Sequence, residues 1–170
     1  MSTKAIRIAL GAILAGALLA AVYTYKKYRV APAIAFTELE AIDALGAKGK
    51  VWRKTGRGVI VVFFASWCHD CARELPKLER VLHGPLKGAD VVALTDEDLA
   101  TMVKYRNLTL YNFRFYALPK DFEQYGIHAI PTFYVLNAWG ETVFTKVGDV
   151  DWNSPDLIAK VKAALVPQPR

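Results

Sequence analysis

Cys68 and Cys71, spaced as Trp67-Cys68-His69-Asp70-Cys71, are the two cysteines of a 170-residue chain. The run before them, Gly58-Val59-Ile60-Val61-Val62-Phe63-Phe64-Ala65, is rich in β-branched and aromatic residues and predicts a buried strand. The run after them, from Ala72 to Leu82, predicts a helix. The pair therefore falls where a strand ends and a helix begins. The free N–H groups and dipole of a helix start favour a thiolate over a thiol. Two thiols so placed can cycle between dithiol and disulfide, one attacking a partner disulfide and the other resolving the mixed species. C-x-x-C in a β–α setting is a redox motif for that reason. Two other classes stay open. Two soft thiolates also suit Cu(I), which would make the chain a metallochaperone using Cys68 and Cys71. A non-catalytic anchored scaffold with incidental thiols is the third reading, and the placement of both thiols at a helix start counts against it.

Other residues near the pair have their own chemistry. Glu74 follows Cys71 by three residues, about one helical turn on and on the same face. A carboxylate partly buried there has a raised pKa and can take or give the Cys71 proton; the alternative is a solvated carboxylate or one paired with Arg73 or Lys77. His69 and Asp70 act in opposite directions, since a cationic imidazole favours a nearby thiolate and a carboxylate disfavours it. Trp67 packs beside the thiols and shapes a docking surface, or is a plain core tryptophan. Trp152 reads as core or cap packing. His83 and His128 read as surface or loop residues. Pro131 opens a strand, where a proline needs a reason because it interrupts sheet pairing.

The elements that must position these residues follow from the pattern along the chain. After Val30-Ala31-Pro32-Ala33, a short linker, Thr37 with Glu40 suggests a capping box for a helix to about Leu45. Strands are expected at 59–64 and 89–95, with a helix between them. Asp96, Glu97 and Asp98 read as a helix start, that helix running to about Tyr105 with Leu99, Met102 and Val103 on its buried face. A strand is expected over Leu108–Tyr116, and a short helix from Pro119 to Tyr125 closed by Gly126. Thr132–Leu136 and Thr142–Val147 predict a hairpin. Ser154 caps a last helix with Pro155 at its first position, running to about Val166. The sum is an α/β domain with a mixed sheet, parallel strands joined by helices followed by an antiparallel hairpin and a closing helix.

Charge and hydropathy divide the chain. The net charge is +6, of which Lys4, Arg7, Lys26, Lys27 and Arg29 supply five; from Val30 onward 17 Lys and Arg face 16 Asp and Glu. The basic balance thus flanks an apolar segment and argues against nucleic-acid binding. Ile8 to Tyr25 is uncharged and, as a helix, about 27 Å long, enough to span the hydrocarbon core of a bilayer. Tyr23, Tyr25 and Tyr28 suit a headgroup interface. An uncleaved anchor and a cleaved signal peptide both fit, as does, more weakly, a buried core helix; small residues at 15–17 or 19–21 could serve a peptidase. Positive charge on the two flanks is nearly tied and sets no orientation. The organisation expected is residues 1–30 as anchor (or signal peptide) and flank, 31–54 as linker and N-terminal extension, and 55–170 as the folded domain.

Phe64-Ala65-Ser66-Trp67-Cys68-x-x-Cys71, then Ile130-Pro131-Thr132, then Gly148, resembles the thioredoxin fold. Cys71-Ala72-Arg73-Glu74-Leu75-Pro76 resembles the C-x-x-E-x-P run of membrane-anchored TlpA/ResA-like thiol–disulfide oxidoreductases. Val147-Gly148-Asp149-Val150-Asp151-Trp152-Asn153-Ser154-Pro155 resembles their G-x-x-D-W-x-S-P stretch. The material between Asp96 and Tyr116 matches their central insertion. The resemblance covers roughly 55–165. Two departures stand out: Asp70 replaces the proline many members carry, and Val62 replaces the buried Asp of thioredoxins.

The resemblance implies a thioredoxin fold with a central insertion, behind one N-terminal transmembrane helix. It implies a catalytic set of Cys68, Cys71, Glu74 and Pro131, with Cys68 the more exposed nucleophile and Pro131 the cis-proline facing the cysteines. Trp67, His69, Ile130 and Thr132 would contact the partner peptide. The activity implied is reduction of protein disulfides outside the cytoplasmic membrane, with no bound cofactor and no metal. The chain would sit in the inner membrane as a single-pass protein, held by residues 8–25, its domain on the periplasmic side. Partners would be protein disulfide or dithiol clients, such as apocytochrome c or copper-site assembly proteins, and a membrane electron donor. Pro131 discriminates between the classes, because a redox site needs it beside the cysteines and a metallochaperone does not.

Overall fold

The computed structural model describes residues 3–43, 45–98 and 108–166, which fall into two compact units divided between Val30 and Ala31. The first is a single helix, α1 (Thr3–Arg29). Within its stretch Ile6–Arg29 an 18-residue window has a mean hydropathy of 2.1, and none of that window is buried in protein. Apolar residues run all round it, with Ile8, Ile13, Leu18 and Leu19 exposed. A helix apolar on every side is at home in a hydrocarbon environment and not on a water-facing surface. Thr24 fits that setting, since its hydroxyl is returned to the helix backbone at Ala20 O and Ala21 O (3.0 and 2.9 Å). Lys26, Lys27 and Arg29 occupy the last turn, where the carbonyl end of the dipole favours cations.

The second unit is a seven-stranded mixed sheet with helices packed on it. Its strands are β1 (Glu40–Ile42), β2 (Lys48–Lys50), β3 (Val59–Phe63), β4 (Asp90–Thr95), β5 (Arg114–Ala117), β6 (Thr132–Leu136) and β7 (Thr142–Val147); α2 (His69–Leu82) follows β3 and α3 (Pro155–Leu165) follows β7. The order across the sheet is β2-β1-β5-β4-β3-β6-β7. β3, β4 and β5 are mutually parallel, while β6 lies antiparallel to β3 and β7 to β6. Every residue of β3 and β6 is buried, as expected for central strands covered on both faces. Neighbours on a strand point to opposite faces. Tyr134 therefore joins Phe36 and Phe63 on one side, with ring centroids 4.9 and 5.7 Å away, and Phe133 meets Trp152 on the other at 5.7 Å. α2 buries the stripe Glu74, Leu75, Leu78, Val81 and Leu82, and α3 buries Ile158, Val161 and Ala164. At Gly58 a Cβ would run into the carbonyl oxygens of Leu136 and Ala164, so glycine permits β6 and α3 to close there.

Three expected elements are corrected. The helix over Thr37–Leu45 is absent; Glu40–Ile42 and Lys48–Lys50 form an antiparallel pair at the sheet edge, with Ile42 opposite Ala117 of β5. Asp43 Oδ1 accepts from the N–H groups of Leu45 and Ala47 (both 2.9 Å), and Gly46 has φ of 82°. That side-chain-stabilised turn competes with a segment too short to sustain a helix by itself. Within Leu108–Tyr116, Leu108–Leu110 is a 3₁₀ turn and pairing begins at Arg114. There Glu79 accepts the Asn112 N–H (3.0 Å) and the Tyr111 and Phe113 rings stack at 5.1 Å. The expected helix with Leu99, Met102 and Val103 lies largely outside the described residues. The short helix after Pro119 is a 3₁₀ turn, Phe122–Tyr125, closed by Gly126 in the left-handed region.

Candidate active site

Cys68 is the N-cap of α2, in extended conformation, and its Sγ accepts the Cys71 N–H at 3.0 Å. A sulfur in that position faces the unpaired donors of the helix start. Cys68 and Cys71 are joined as a disulfide, with Cα atoms 5.2 Å apart. Both are buried, Cys68 at 6% exposed and Cys71 at 1%. Cys68 is thus the more exposed residue of the pair.

The sheet brings Pro131 to the cysteines. Phe63, the last residue of β3, lies opposite Thr132, the first of β6, so the loop after β3 and the loop before β6 meet. The Ile130–Pro131 bond is cis, and the Ile130 carbonyl lies 3.7 Å from Cys68 Sγ. Pro131 O accepts from Gly148 N–H (2.8 Å), which pins the loop to the end of β7. Thr132 Oγ1 donates to Ala129 O (2.6 Å), and the residue is buried, so its side chain faces inward. Trp67, by contrast, is 71% exposed, which removes the plain-core reading. Trp67, Phe122, Ile127 and Ile130 line an open cavity of about 220 Å³ next to the disulfide, with Asp96 and Asp121 at its edge. The His69 side chain is exposed and 3.9 Å from Asp70, which also pairs with Arg73 at 2.8 Å. Trp152 is core, as expected.

Glu97 escaped the sequence reading except as a helix-start acid. Its two carboxylate oxygens accept from the Ser66 backbone N–H and hydroxyl, each at 2.5 Å. Thr95 Oγ1 lies 3.3 Å from the same carboxylate. A bidentate clamp two residues before Cys68 fixes the loop that leads into the disulfide. The signal that could have found it is its place just beyond the carboxyl end of β4, the edge where α/β sheets build their sites.

Glu74 is 1% exposed. Its carboxylate accepts from Lys77 Nζ (2.6 Å) and from the Val150 N–H (3.2 Å). Lys77 Nζ also reaches Asp149 Oδ1 at 2.9 Å. Burial pushes the Glu74 carboxyl above its ordinary 4.5, and a hydrogen bond with the Asp149 carboxyl adds to the rise, against the pull of Lys77 and Val150. The bonds from Glu74 and Lys77 hold Asp149 below its ordinary range. At Val62, the position of the thioredoxin acid, the side chain is fully buried and pairs across to Phe133, so no carboxylate competes with Glu74 there.

The sign of the linkage follows. An acid with a raised native pKa binds more protons folded than unfolded, so stability falls as pH rises from about 4.5 through the native value. Glu74→Gln is expected to flatten that fall. Thermal melting across pH 4–8 measures it, and a slope equal to the parent's would show Glu74 ionising without cost. Asp149 contributes in the opposite sense and at lower pH, since its stabilisation is lost as pH drops through its depressed value.

Among the described residues there is no group of three or more His, Cys, Asp or Glu arranged to hold a metal ion. A disulfide at a helix start, set against a cis-proline loop on a mixed sheet of this order, defines a thioredoxin-fold thiol–disulfide oxidoreductase. No family model matches the chain. Curated relatives do. It is 27% identical over 124 residues to the thiol-disulfide oxidoreductase ResA of Bacillus thuringiensis, covering 70% of this chain and 68% of the relative. It is 30% identical over 99 residues to ResA of Halalkalibacterium halodurans, covering 55% of each. The crystal structure of StoA from Bacillus subtilis superposes with a TM-score of 0.57 at 24% identity, over 76% of this chain and 98% of that one, and bears on the fold. The chain is similar to thiol–disulfide oxidoreductases of the ResA/TlpA-like family.

Proposed function

We propose that this oxidoreductase is a reductase of protein disulfides, tethered by α1 with its domain outside the cytoplasmic membrane. The observation that carries the reading is the Cys68–Cys71 disulfide itself, with the outer sulfur at the cap of α2 and 3.7 Å from the Ile130 carbonyl. In the reduced state Cys68 attacks the client disulfide, and Cys71 resolves the mixed disulfide after giving its proton to Glu74. The loop at Pro131 lies along the client backbone, flanked by Trp67, His69 and Ile130, with Thr132 anchoring it from within. The position of Pro131 against Cys68 favours redox exchange over metal carriage.

The clients are proteins whose cysteines must be reduced in an oxidising compartment, such as apocytochrome c or copper-site assembly proteins, and a membrane donor returns the electrons. Reduction, not oxidation, is favoured by Asp70 in the first turn of α2, because a carboxylate there opposes the thiolate that makes strong oxidants. The reduction potential of the Cys68–Cys71 couple tests the direction. A value near the thioredoxin end, about −270 mV, is expected, and one above about −180 mV would make the chain an oxidase or isomerase.

A further inference from the structure

A client joined to Cys68 covers the Trp67–Ile130 side of the disulfide. The proton taken from Cys71 then needs another way to water, and the back of Glu74 offers one. Lys77 Nζ bridges Glu74 Oε1 (2.6 Å) and Asp149 Oδ1 (2.9 Å), and side-chain exposure rises along this row from 1% at Glu74 through 42% at Lys77 to 75% at Asp149. At its outer end lies a cavity of about 200 Å³, lined by Lys77, Arg80, Asp149, Val150 and Asn153. It shares none of its lining residues with the cavity beside Trp67.

We infer that Asp149 is the proton exit of the exchange site, taking the proton from Glu74 to the cavity behind α2, with Lys77 holding the two carboxyls together. The inference rests on Glu74 being the base for Cys71. In the resolving step the Cys71 S–H bond breaks and its proton passes to Glu74. The Cys71 sulfur forms its bond to Cys68 Sγ, and the Cys68–client S–S bond breaks. The client sulfur leaves as a thiolate with the electron pair, so the client is reduced and the Cys68–Cys71 pair oxidised. Glu74 then passes its proton to Asp149, and Asp149 to water.

Burial and the bond to Asp149 raise Glu74, and the bonds from Glu74 and Lys77 lower Asp149, so transfer from Glu74 to Asp149 is the uphill step and release from Asp149 to water the downhill one. The charged groups around the row are Arg73, Lys77 and Arg80 from α2, and Asp149 and Asp151 from the loop after β7; Val150 contributes its N–H. Asp149 is a relay residue that does not touch the client, so its loss should be felt when the front is closed and not when it is open.

The test uses the full chain, reduced, in detergent, with single-turnover rates from pH 5 to 9 on two oxidants. Insulin covers the docking face; glutathione disulfide leaves it open. Asp149→Asn is expected to slow the insulin reaction about tenfold near neutral pH, the lower end of a general acid–base contribution, and to displace its pH profile. With glutathione disulfide its rate should stay within about twofold of the parent, since solvent serves as acceptor there. Lys77→Met should show the same selectivity, and Asp149→Glu should restore the insulin profile. Equal slowing with both oxidants, or an Asp149→Asn profile that superimposes on the parent, overturns the exit. If Glu74→Gln leaves the insulin profile unchanged, the base assignment itself fails and the exit with it. A Glu74→Gln effect without an Asp149→Asn effect overturns the exit alone.

Discussion

Replacing Cys71 by serine is expected to turn a transient exchange into a lasting capture. Cys68 still attacks, because its thiolate is favoured by the cap of α2 and by the Cys71 N–H that points at its sulfur, a backbone donor the substitution keeps. What is lost is the second sulfur one turn on, so the mixed disulfide persists until an external thiol cleaves it. Non-reducing electrophoresis of membranes from cells producing Cys71→Ser should show one or a few discrete adducts that vanish on reduction, and their identification names the client. Cys68→Ser should give no adducts, because Cys71 is almost fully enclosed at 1% exposed. Catalytic turnover should fall to background in both. Equal trapping by Cys68→Ser would reverse the order of attack and would require the helix start to open far enough to expose the inner sulfur.

The chemistry was more legible than the scaffold because it is written in short spacings. C-x-x-C, Glu74 three residues further and Pro131 at a strand start are local signals, and each has a physical reason to be where it is. Val59–Phe63 and Thr132–Leu136 were equally plain, since continuous apolar runs bounded by turn residues predict central strands. The Thr37–Glu40 pattern misled for the complementary reason. A capping box is a local preference, while β1 gains its place through Ala117 of β5, a partner no window around residue 40 contains. The same holds for the two acids that frame the exchange loop and its base. Glu97 reaches Ser66 across 31 positions, and Asp149 reaches Lys77 across 72. Neither contact is visible in a local window, because only the parallel crossover from β3 to β4 and the return of β7 bring these acids to Ser66 and Lys77.

Removing residues 1–30 is expected to convert a membrane-bound chain into a soluble one that keeps its exchange activity. The compact sheet unit begins at Ala31, and every described strand, with α2 and α3, lies beyond it. The full chain should remain in membranes through an alkaline carbonate wash, since Ile6–Arg29 contains an 18-residue window with a mean hydropathy of 2.1, about the length a span requires. Recovery of full-length chains in the wash, or of chains starting near residues 17–21, would make the segment a peripheral or cleaved one. Orientation needs its own measurement, because Lys4 and Arg7 on one flank nearly balance Lys26, Lys27 and Arg29 on the other. Alkaline phosphatase fused at Arg170 becomes active where disulfides form, so it should report activity if the domain lies outside the cytoplasmic membrane. A silent fusion, with a cytoplasmic reporter active at the same residue, would place the domain inside. Reduction would then draw on cytosolic thiols, and the need for a membrane electron donor, along with every client of the oxidising compartment, would fall away.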